Sequence, residues 1–287
     1  MPERSRVGHA SPMQVRLARI VILAILVGIG VSHVVFAIRD WPLGDMDVYL
    51  AAATRLREGD PLYVAGDVAV NSYWYAPWYA ALWIPLTYLP REIVAIGWSL
   101  ILLTATAMVT WLLAREGGTA AILALLVGPP LFAVSAGGNV QALLVLSLLY
   151  GIDRRSGPVW IALAASLRAT PILFVAVYAA RREWGRFWLT LGITALLVAP
   201  MLWYDPATLV SGVAGREPGL LAVSPWLFLV GVAVSVGAVA VLAWRRSPYT
   251  IIAAAAGTIV ASPKLFAYDT AALLAVHPDG GEGHRGR

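Results

Sequence analysis

Long apolar segments alternate with short polar turns along this chain. Apolar residues dominate about residues 17–38, 76–89, 92–113, 119–136, 139–152, 158–180, 187–204, 222–244 and 249–276. A straight membrane span needs about 20 such residues, and several of these segments are shorter or are interrupted by Gly or Pro. The pattern predicts an all-α polytopic membrane protein with about 8–10 transmembrane or half-membrane helices.

The composition supports this class. Hydrophobic residues make up 60% of the 287 residues and charged residues 13%, whereas a soluble domain carries about 25% charged residues. The chain has no cysteine, which excludes disulfides, thiolate metal sites and a cysteine nucleophile. Arginine carries almost all of the net charge of +5, and Lys264 is the only lysine. In a membrane chain such charge indicates loop orientation rather than nucleic-acid binding.

The first apolar segment predicts the orientation. It is longer than the apolar core of a cleavable signal peptide and follows several arginines, so we interpret residues 17–38 as an anchor with a cytoplasmic N-terminus. Residues 39–74 then form a first extracytoplasmic loop carrying interfacial helices. We expect residues 1–276 to be one transmembrane domain and the polar residues 277–287 to be a disordered tail.

Two arginine clusters flank the apolar segment 158–180, namely "DRR" at 153–155 and "RREWGR" at 181–186. One span cannot place both clusters in the cytoplasm, but two half-helices that turn at residues 168–171 can. The alternative is one ordinary span with a weak violation of the positive-inside tendency. Both interpretations stay open at this point.

The first polar loop contains "GDMDVYLAAATRLREGDPLY" at 44–63. The stretch from Asp45 to Glu58 lacks Gly and Pro and predicts a helix that ends at Gly59. Asp45 begins this helix, and Tyr49 lies one turn later on the same face. Position alone favours a helix-capping role for the Asp45 carboxylate over a functional one.

Two further patterns lie near this helix. Asp45 and Asp47 form a D-x-D that could hold a divalent metal, but no nucleotide-binding βαβ pattern accompanies them, so a metal-free site without a cofactor is preferred. The tyrosines and tryptophans between residues 73 and 83 predict an aromatic belt at the membrane interface, or else surfaces for sugar stacking.

The chain from Asp45 to Pro90 reads approximately D-x-x-V-Y, a short helix, G-x-x-L-Y, and Y-x-P before an apolar segment that ends P-L-x-x-L-P. The residues of this pattern are Asp45, Val48, Tyr49, Gly59, Leu62, Tyr63, Tyr75, Pro77, Pro85, Leu86, Leu89 and Pro90. The pattern resembles the start of the bacterial polyprenyl-phosphate-mannose-dependent α-mannosyltransferases of the GT-C superfamily.

The resemblance continues downstream with exchanges. "GGNVQALLVL" has Asn139 and Gln141 where the family's G-Q-x-N has Gln and Asn, and "LRATPILF" has Arg168 near the family's lysine. "ASPKLFAYD" at 261–269 resembles a C-terminal S-P stretch and contains Lys264. Family members are generally longer, so the resemblance implies a short or C-terminally truncated member.

The resemblance implies a GT-C-like bundle in a bacterial plasma membrane with an extracytoplasmic active site. The implied reaction moves a sugar, in the family mannose, from a polyprenyl phosphate to an acceptor hydroxyl on a glycolipid or polysaccharide, with inversion. Asp45 is the implied general base, with Asp47 as second choice. Arg168 and Lys264 would bind the donor phosphate, and the implied substrate-binding residues are Tyr49, Tyr75, Asn139 and Gln141.

The residues leave other readings open. A charge within an apolar segment is costly unless it lines a cavity or meets a partner, so Arg168 could serve the site or could pair with Asp153 or another carboxylate for structure alone. Broken helices and an intramembrane arginine also suit a lipid or solute transporter or flippase. A catalytically inactive GT-C scaffold is the third possibility.

Overall fold

The computed structural model of the protein describes residues 43–64, 73–116, 131–132, 134–204, 220–263 and 273, and these contain helices but no strand. The predicted anchor 17–38, most of segment 119–136, Lys264 and the tail 277–287 lie outside the described residues. The α-helices are α1 (Gly44–Glu58), α2 (Pro77–Trp83), α3 (Arg91–Glu116), α4 (Gln141–Gly151), α5 (Gly157–Leu167), α6 (Val175–Ala180), α7 (Trp184–Val198), α8 (Leu220–Val223), α9 (Pro225–Trp244) and α10 (Thr250–Val260). Short 3-10 segments cover Ile84–Tyr88, Thr170–Phe174 and Ala199–Trp203.

Three stretches are long and apolar enough to cross a membrane, namely Arg91–Leu113, Trp184–Trp203 and Pro225–Trp244. At 1.5 Å per residue, even the shorter ones reach about 30 Å, the thickness of the hydrocarbon core. Apolar side chains such as Leu196 and Trp226 are 74% and 78% exposed on these helices, as expected where lipid replaces water. The chain is therefore an all-α polytopic membrane protein, as the apolar pattern predicts.

The segment 158–180 is a pair of short helices rather than one span. Helix α5 ends at Leu167, and Arg168 takes an extended conformation with φ −144° and ψ 120°. The chain then returns, because Arg181 after α6 forms an ion pair with Asp153 before α5. A continuous helix over residues 157–180 would separate these ends by about 35 Å. The half-helix interpretation is confirmed and the single-span interpretation is wrong.

Helix α10 runs antiparallel to the returning half of this pair. The Arg168 Nη2 atom donates to Ser262 Oγ at 3.3 Å, and a Cβ added at Gly257 would lie 2.8 Å from Leu173 Cδ1. Arg168 precedes Leu173 in the chain, whereas its partner Ser262 follows Gly257. The two segments are therefore antiparallel, and the start of α10 lies beside the end of α6. The turns at 152–156, 181–183 and 245–249 therefore share one end of the bundle. We call it the arginine end, after Arg154, Arg155, Arg181, Arg182, Arg186, Arg245 and Arg246.

Helix α1 forms as its sequence predicts. Gly59 ends it in the left-handed conformation with φ +79°, and the Gly59 N–H bonds to the Arg55 carbonyl. Met46, Tyr49 and Ala53 are fully buried on one helix face. This face packs against α2 and the 3-10 segment Ile84–Tyr88, which fixes the polar loop onto the membrane helices.

Residues 73–89 confirm one expectation and contradict another. The segment 76–89, which is shorter than a straight span, forms the seven-residue α2 followed by the five-residue 3-10 segment that contains Pro85, so it does not cross a bilayer as the second span of the family pattern would. The expected aromatic belt is instead an internal cluster, because Tyr79 and Trp83 are 4% and 2% exposed. Edge-to-face pairs of aromatic rings inside a protein contribute about 0.5–1.5 kcal/mol each beyond the burial of their area.

Candidate functional site

A glycine turn holds the start of α1 against the start of α4. The Asp45 N–H donates to the Gly137 carbonyl at 3.0 Å, and the buried Trp98 Nε1 donates to the Gly138 carbonyl at 2.7 Å. Gly138 has φ +82°, and an added Cβ would lie 3.0 Å from the Met46 backbone nitrogen. Only glycine fits both the conformation and the space. The residue that follows this turn is therefore brought onto the first turn of α1.

That residue, Asn139, joins the turn to the carboxylate of Asp45. Asn139 Nδ2 donates to Asp45 Oδ2 at 2.8 Å, and Asn139 Oδ1 accepts the Gln141 N–H at 2.9 Å. The second bond fixes which end of the amide faces the carboxylate. No side-chain capping bond forms at the start of α1, where Leu43 is the N-cap. The Asp45 side chain therefore does not cap α1. It accepts a hydrogen bond from a residue 94 positions later in the chain.

The environment of Asp45 favours its protonated form more than water does. Burial raises the pKa of Asp45 above its ordinary value, and the hydrogen bond from Asn139 acts more weakly in the opposite direction. A carboxylate with a raised pKa is a stronger base once it is ionised. The side chain remains partly exposed, so a substrate hydroxyl could reach it.

Arg168 lies at the break between α5 and the Thr170–Phe174 segment, facing the start of α4. Its Nη1 atom donates to Gln141 Oε1 at 3.1 Å, and its Nη2 atom donates to Ser262 Oγ. The alternative pairing with Asp153 is wrong, since Asp153 pairs with Arg181 at the arginine end. Gln141 therefore connects the cation to the amide that contacts Asp45.

A cleft opens beside this guanidinium. It has a volume of about 330 Å³, part of it open to the surroundings, and is lined by Gln141, Leu144, Val145, Leu148, Arg168, Thr170, Pro171 and Thr258. Its lining combines polar groups, which include the Arg168 guanidinium, with the apolar side chains of Leu144, Val145, Leu148 and Pro171. Such a cleft suits a molecule with an anionic group joined to a hydrocarbon chain.

Two tyrosines, one in α1 and one just before α2, form a hydrogen-bonded pair beside Asp45. Tyr49 is fully buried, and its hydroxyl donates to the hydroxyl of Tyr75 at 3.2 Å. Burial, followed by the charge of Asp45, raises the pKa of Tyr75 to about 12, while the charge of Arg168 lowers it. Both charges therefore act on one neutral hydroxyl. Six of the predicted site residues gather here: Asp45, Tyr49, Tyr75, Asn139, Gln141 and Arg168.

The other predicted residues lie elsewhere. Asp47 turns away from Asp45 and accepts two hydrogen bonds from Arg91, from Nε at 2.8 Å and from Nη2 at 2.7 Å. The two carboxylates of the D-x-D thus have different partners and do not face one common point. Lys264 lies outside the described residues, although Ser262 two positions earlier reaches Arg168.

Sequence reasoning missed three residues that position the site, namely Trp98, Gly138 and Ser262. Gly138 had a visible signal, since it directly precedes Asn139 in "GGN". Trp98 had none, because a tryptophan within an apolar helix is indistinguishable by pattern from a lipid-facing one. Ser262 lies in the "ASPK" stretch, but nothing in that stretch indicates contact with Arg168.

The family model of Glycosyltransferase family 87 matches residues 73–212. This is just under half of the chain and includes Tyr75, Asn139, Gln141 and Arg168, while Asp45 precedes the matched region. No curated protein and no solved structure matches the chain. The matched part is similar to that family, and together with the apolar helices it indicates a membrane glycosyltransferase.

Proposed function

We propose that the chain transfers a sugar from a polyprenyl phosphate to an acceptor hydroxyl, with inversion, and that Asp45 is the general base. One observation carries the proposal: Asn139 and Gln141 join the Asp45 carboxylate to the Arg168 guanidinium in one hydrogen-bonded chain. Mannose as the sugar, and a glycolipid or polysaccharide as the acceptor, rest on the family resemblance of the opening motif.

The charges match the two ends of this reaction. The acceptor oxygen forms a bond to the anomeric carbon while the bond from that carbon to the phosphate oxygen breaks. The acceptor proton passes to Asp45, and the electron pair leaves with the lipid phosphate. A fixed cation stabilises the charge that develops on this leaving group. The proposal gives that role to Arg168, with Lys264 as a second cation, and therefore requires no divalent metal.

The buried amides have a positioning role in this scheme. Asn139 and Gln141 are 8% and 5% exposed and are already engaged with the two charged groups. Tyr49 is fully buried and supports Tyr75, which leaves Tyr75 as the member of that pair that meets substrate. A group held by several hydrogen bonds needs little reorganisation at the moment of reaction.

The arrangement of charge along the bundle supports an extracytoplasmic site. Asp45 and Arg168 lie away from the arginine end, because the 11 residues of α5 separate Arg168 from that end by about 17 Å. Arginines concentrate on the cytoplasmic side of membrane proteins. On this basis the site faces the outer side of the plasma membrane, where a lipid-linked sugar and a surface acceptor are both accessible.

Purified protein with a polyprenyl-phosphate-linked mannose and a glycolipid acceptor tests the proposal. Asp45→Asn keeps the size of the side chain but cannot take up the proton, so we expect a folded protein whose rate falls by about 10²- to 10⁴-fold. Asp47→Asn is the matched control. It breaks an ion pair whose side chains are 39% and 40% exposed, and such exposed pairs contribute about 1 kcal/mol or less.

The outcomes also separate the alternative functions. A transporter or flippase would move the lipid without releasing sugar from it, and an inactive scaffold would bind the donor without turnover. Transfer by the Asp45→Asn protein at the wild-type rate would remove Asp45 from catalysis. If the Asp47→Asn protein loses transfer while the Asp45→Asn protein keeps it, Asp47 is the base.

Arg168 is tested on the donor side. Arg168→Gln should weaken donor binding and turnover, while Arg168→Lys should keep part of both because the charge remains. Equilibrium binding of the lipid-linked donor separates this role from an effect on folding. Unchanged donor affinity in a stable Arg168→Gln protein would contradict the assignment.

A further inference from the structure

Helices α6 and α9 end in the same way, each with a pair of arginines. The second arginine of each pair, Arg182 and Arg246, takes the left-handed conformation, with φ 58° and 52°. In both turns the N–H of this arginine bonds to the carbonyl three residues earlier at 3.0 Å, and the next N–H bonds five residues back at 2.8 and 2.9 Å. These are matching Schellman caps.

An arginine in this position is unusual. The left-handed conformation strains every residue with a Cβ, and helices normally place glycine there. The chain itself places Gly59 at the corresponding position after α1, with φ +79°. Two arginines in the strained position, at the same end of the bundle, indicate that their side chains serve a purpose that glycine cannot.

The surrounding charge points to an anionic ligand. Among the described residues the arginine end holds seven arginines and two carboxylates, Asp153 and Glu183. These carboxylates pair with Arg181 and Arg186. The remaining arginines, including Arg182 and Arg246, are exposed and form no ion pair with a carboxylate in the described part of the chain.

Aromatic residues place these turns at the level of lipid headgroups. Trp184 follows the first arginine pair and is 52% exposed, Trp244 precedes the second and is 89% exposed, and Tyr249 is 64% exposed. Exposed Trp and Tyr beside the ends of apolar helices mark the boundary between hydrocarbon and water. The guanidinium groups next to them therefore lie where membrane phosphates lie.

We propose that the turns at Arg181–Arg182 and Arg245–Arg246 form a binding surface for the headgroups of anionic phospholipids in the adjacent leaflet. Guanidinium groups bind phosphate through two parallel hydrogen bonds. Each arginine near an anionic membrane contributes attraction equivalent to about fivefold in affinity. The surface lies away from the site at Asp45, so this inference does not depend on the proposed reaction.

The test uses the full chain in nanodiscs made either of phosphatidylcholine alone or of an equal mixture with phosphatidylglycerol. The decisive variant is Arg182→Gly/Arg246→Gly, which removes two charges and also relieves the backbone. In phosphatidylcholine it should melt about 4–8 °C above wild type. In the mixture it should lose at least half of the stabilisation that wild type gains from phosphatidylglycerol.

Native mass spectrometry of the same samples counts retained lipid. Retention of phosphatidylglycerol should fall about fivefold for each arginine removed. Arg182→Lys/Arg246→Lys should retain an intermediate amount, because the charge remains while the two parallel hydrogen bonds are lost. Arg57→Gln removes one charge from α1, away from the arginine end, and should leave retention unchanged. The proposal would be overturned if phosphatidylglycerol stabilised the glycine variant as much as wild type and the variant retained as much of this lipid. A full stabilising effect from soluble glycerol phosphate would also overturn it, because the ligand would then be a free anion and not a lipid.

Discussion

Replacing Gly138 with alanine tests whether the glycine turn positions the site. The new Cβ would lie 3.0 Å from the Met46 nitrogen and 3.2 Å from its Cβ, at a residue with φ +82°. Met46 is fully buried in the first turn of α1 and has little room to yield. The turn must therefore move away from α1 by a few tenths of an ångström, and Asn139 moves with it.

The cost follows from the contacts of the turn. A non-glycine residue in the left-handed conformation costs about 1–2 kcal/mol. Displacement also weakens the bonds to the Gly137 and Gly138 carbonyls, each of which contributes about 0.5–1.5 kcal/mol. We expect a stability loss of about 2–5 kcal/mol in total. Since a displacement of 1 Å can cost about 10²-fold in rate, this smaller shift should lower kcat about tenfold.

Gly59→Ala is the matched control. Gly59 has φ +79°, and an added Cβ meets nothing within 4 Å, so this variant should lose only about 1–2 kcal/mol from strain and keep its kcat. Thermal unfolding in a fixed lipid mixture measures stability, and transfer from a labelled donor measures kcat. If both alanine variants show the same stability loss and the wild-type kcat, the turn does not hold Asn139 as described.

Two further predictions concern proton transfer and orientation. Asn139→Leu removes a hydrogen bond that lowers the pKa of the proposed base; since the base works only when ionised, the acid limb of kcat/KM should move to higher pH, and an unmoved limb would contradict the assignment. Because the chain has no cysteine, single Glu58→Cys and Ser156→Cys variants can report topology in intact cells. An impermeant thiol reagent added outside should label position 58 and not position 156, and the reverse pattern would place the site in the cytoplasm.

Much of the fold follows from local sequence properties. The three long apolar stretches predict membrane helices because the hydrocarbon core leaves few other ways to satisfy the backbone. The end of α1 at Gly59 follows from the conformational freedom of glycine. The reversal at Arg168 could also be inferred, since arginine clusters on both sides of one segment conflict with a single span.

Residue type and motif likewise indicated which side chains could form the site. Asp45 stood out through the family motif that it matches, and Arg168 stood out because a charge inside an apolar segment requires a partner or a ligand. No local pattern indicated which residues would be the partners of these two charges. Asp45 and its partner Asn139 are 94 positions apart, as are Arg168 and its partner Ser262. Sequence periodicity describes neighbours within one helix and cannot predict contacts over such separations.

The sequence by itself thus determined the class of protein, the helices that depend on apolar length, and the short set of candidate charged residues. The tertiary structure showed which aspartate meets Asn139, because Asp45 accepts a hydrogen bond from that amide whereas Asp47 pairs with Arg91. It also moved the tyrosines and tryptophans of residues 73–83 from the expected lipid interface into an internal cluster. The physical reason is the same in both cases: hydrophobicity and charge limit where a side chain can lie, but its partner is set by which helices pack together.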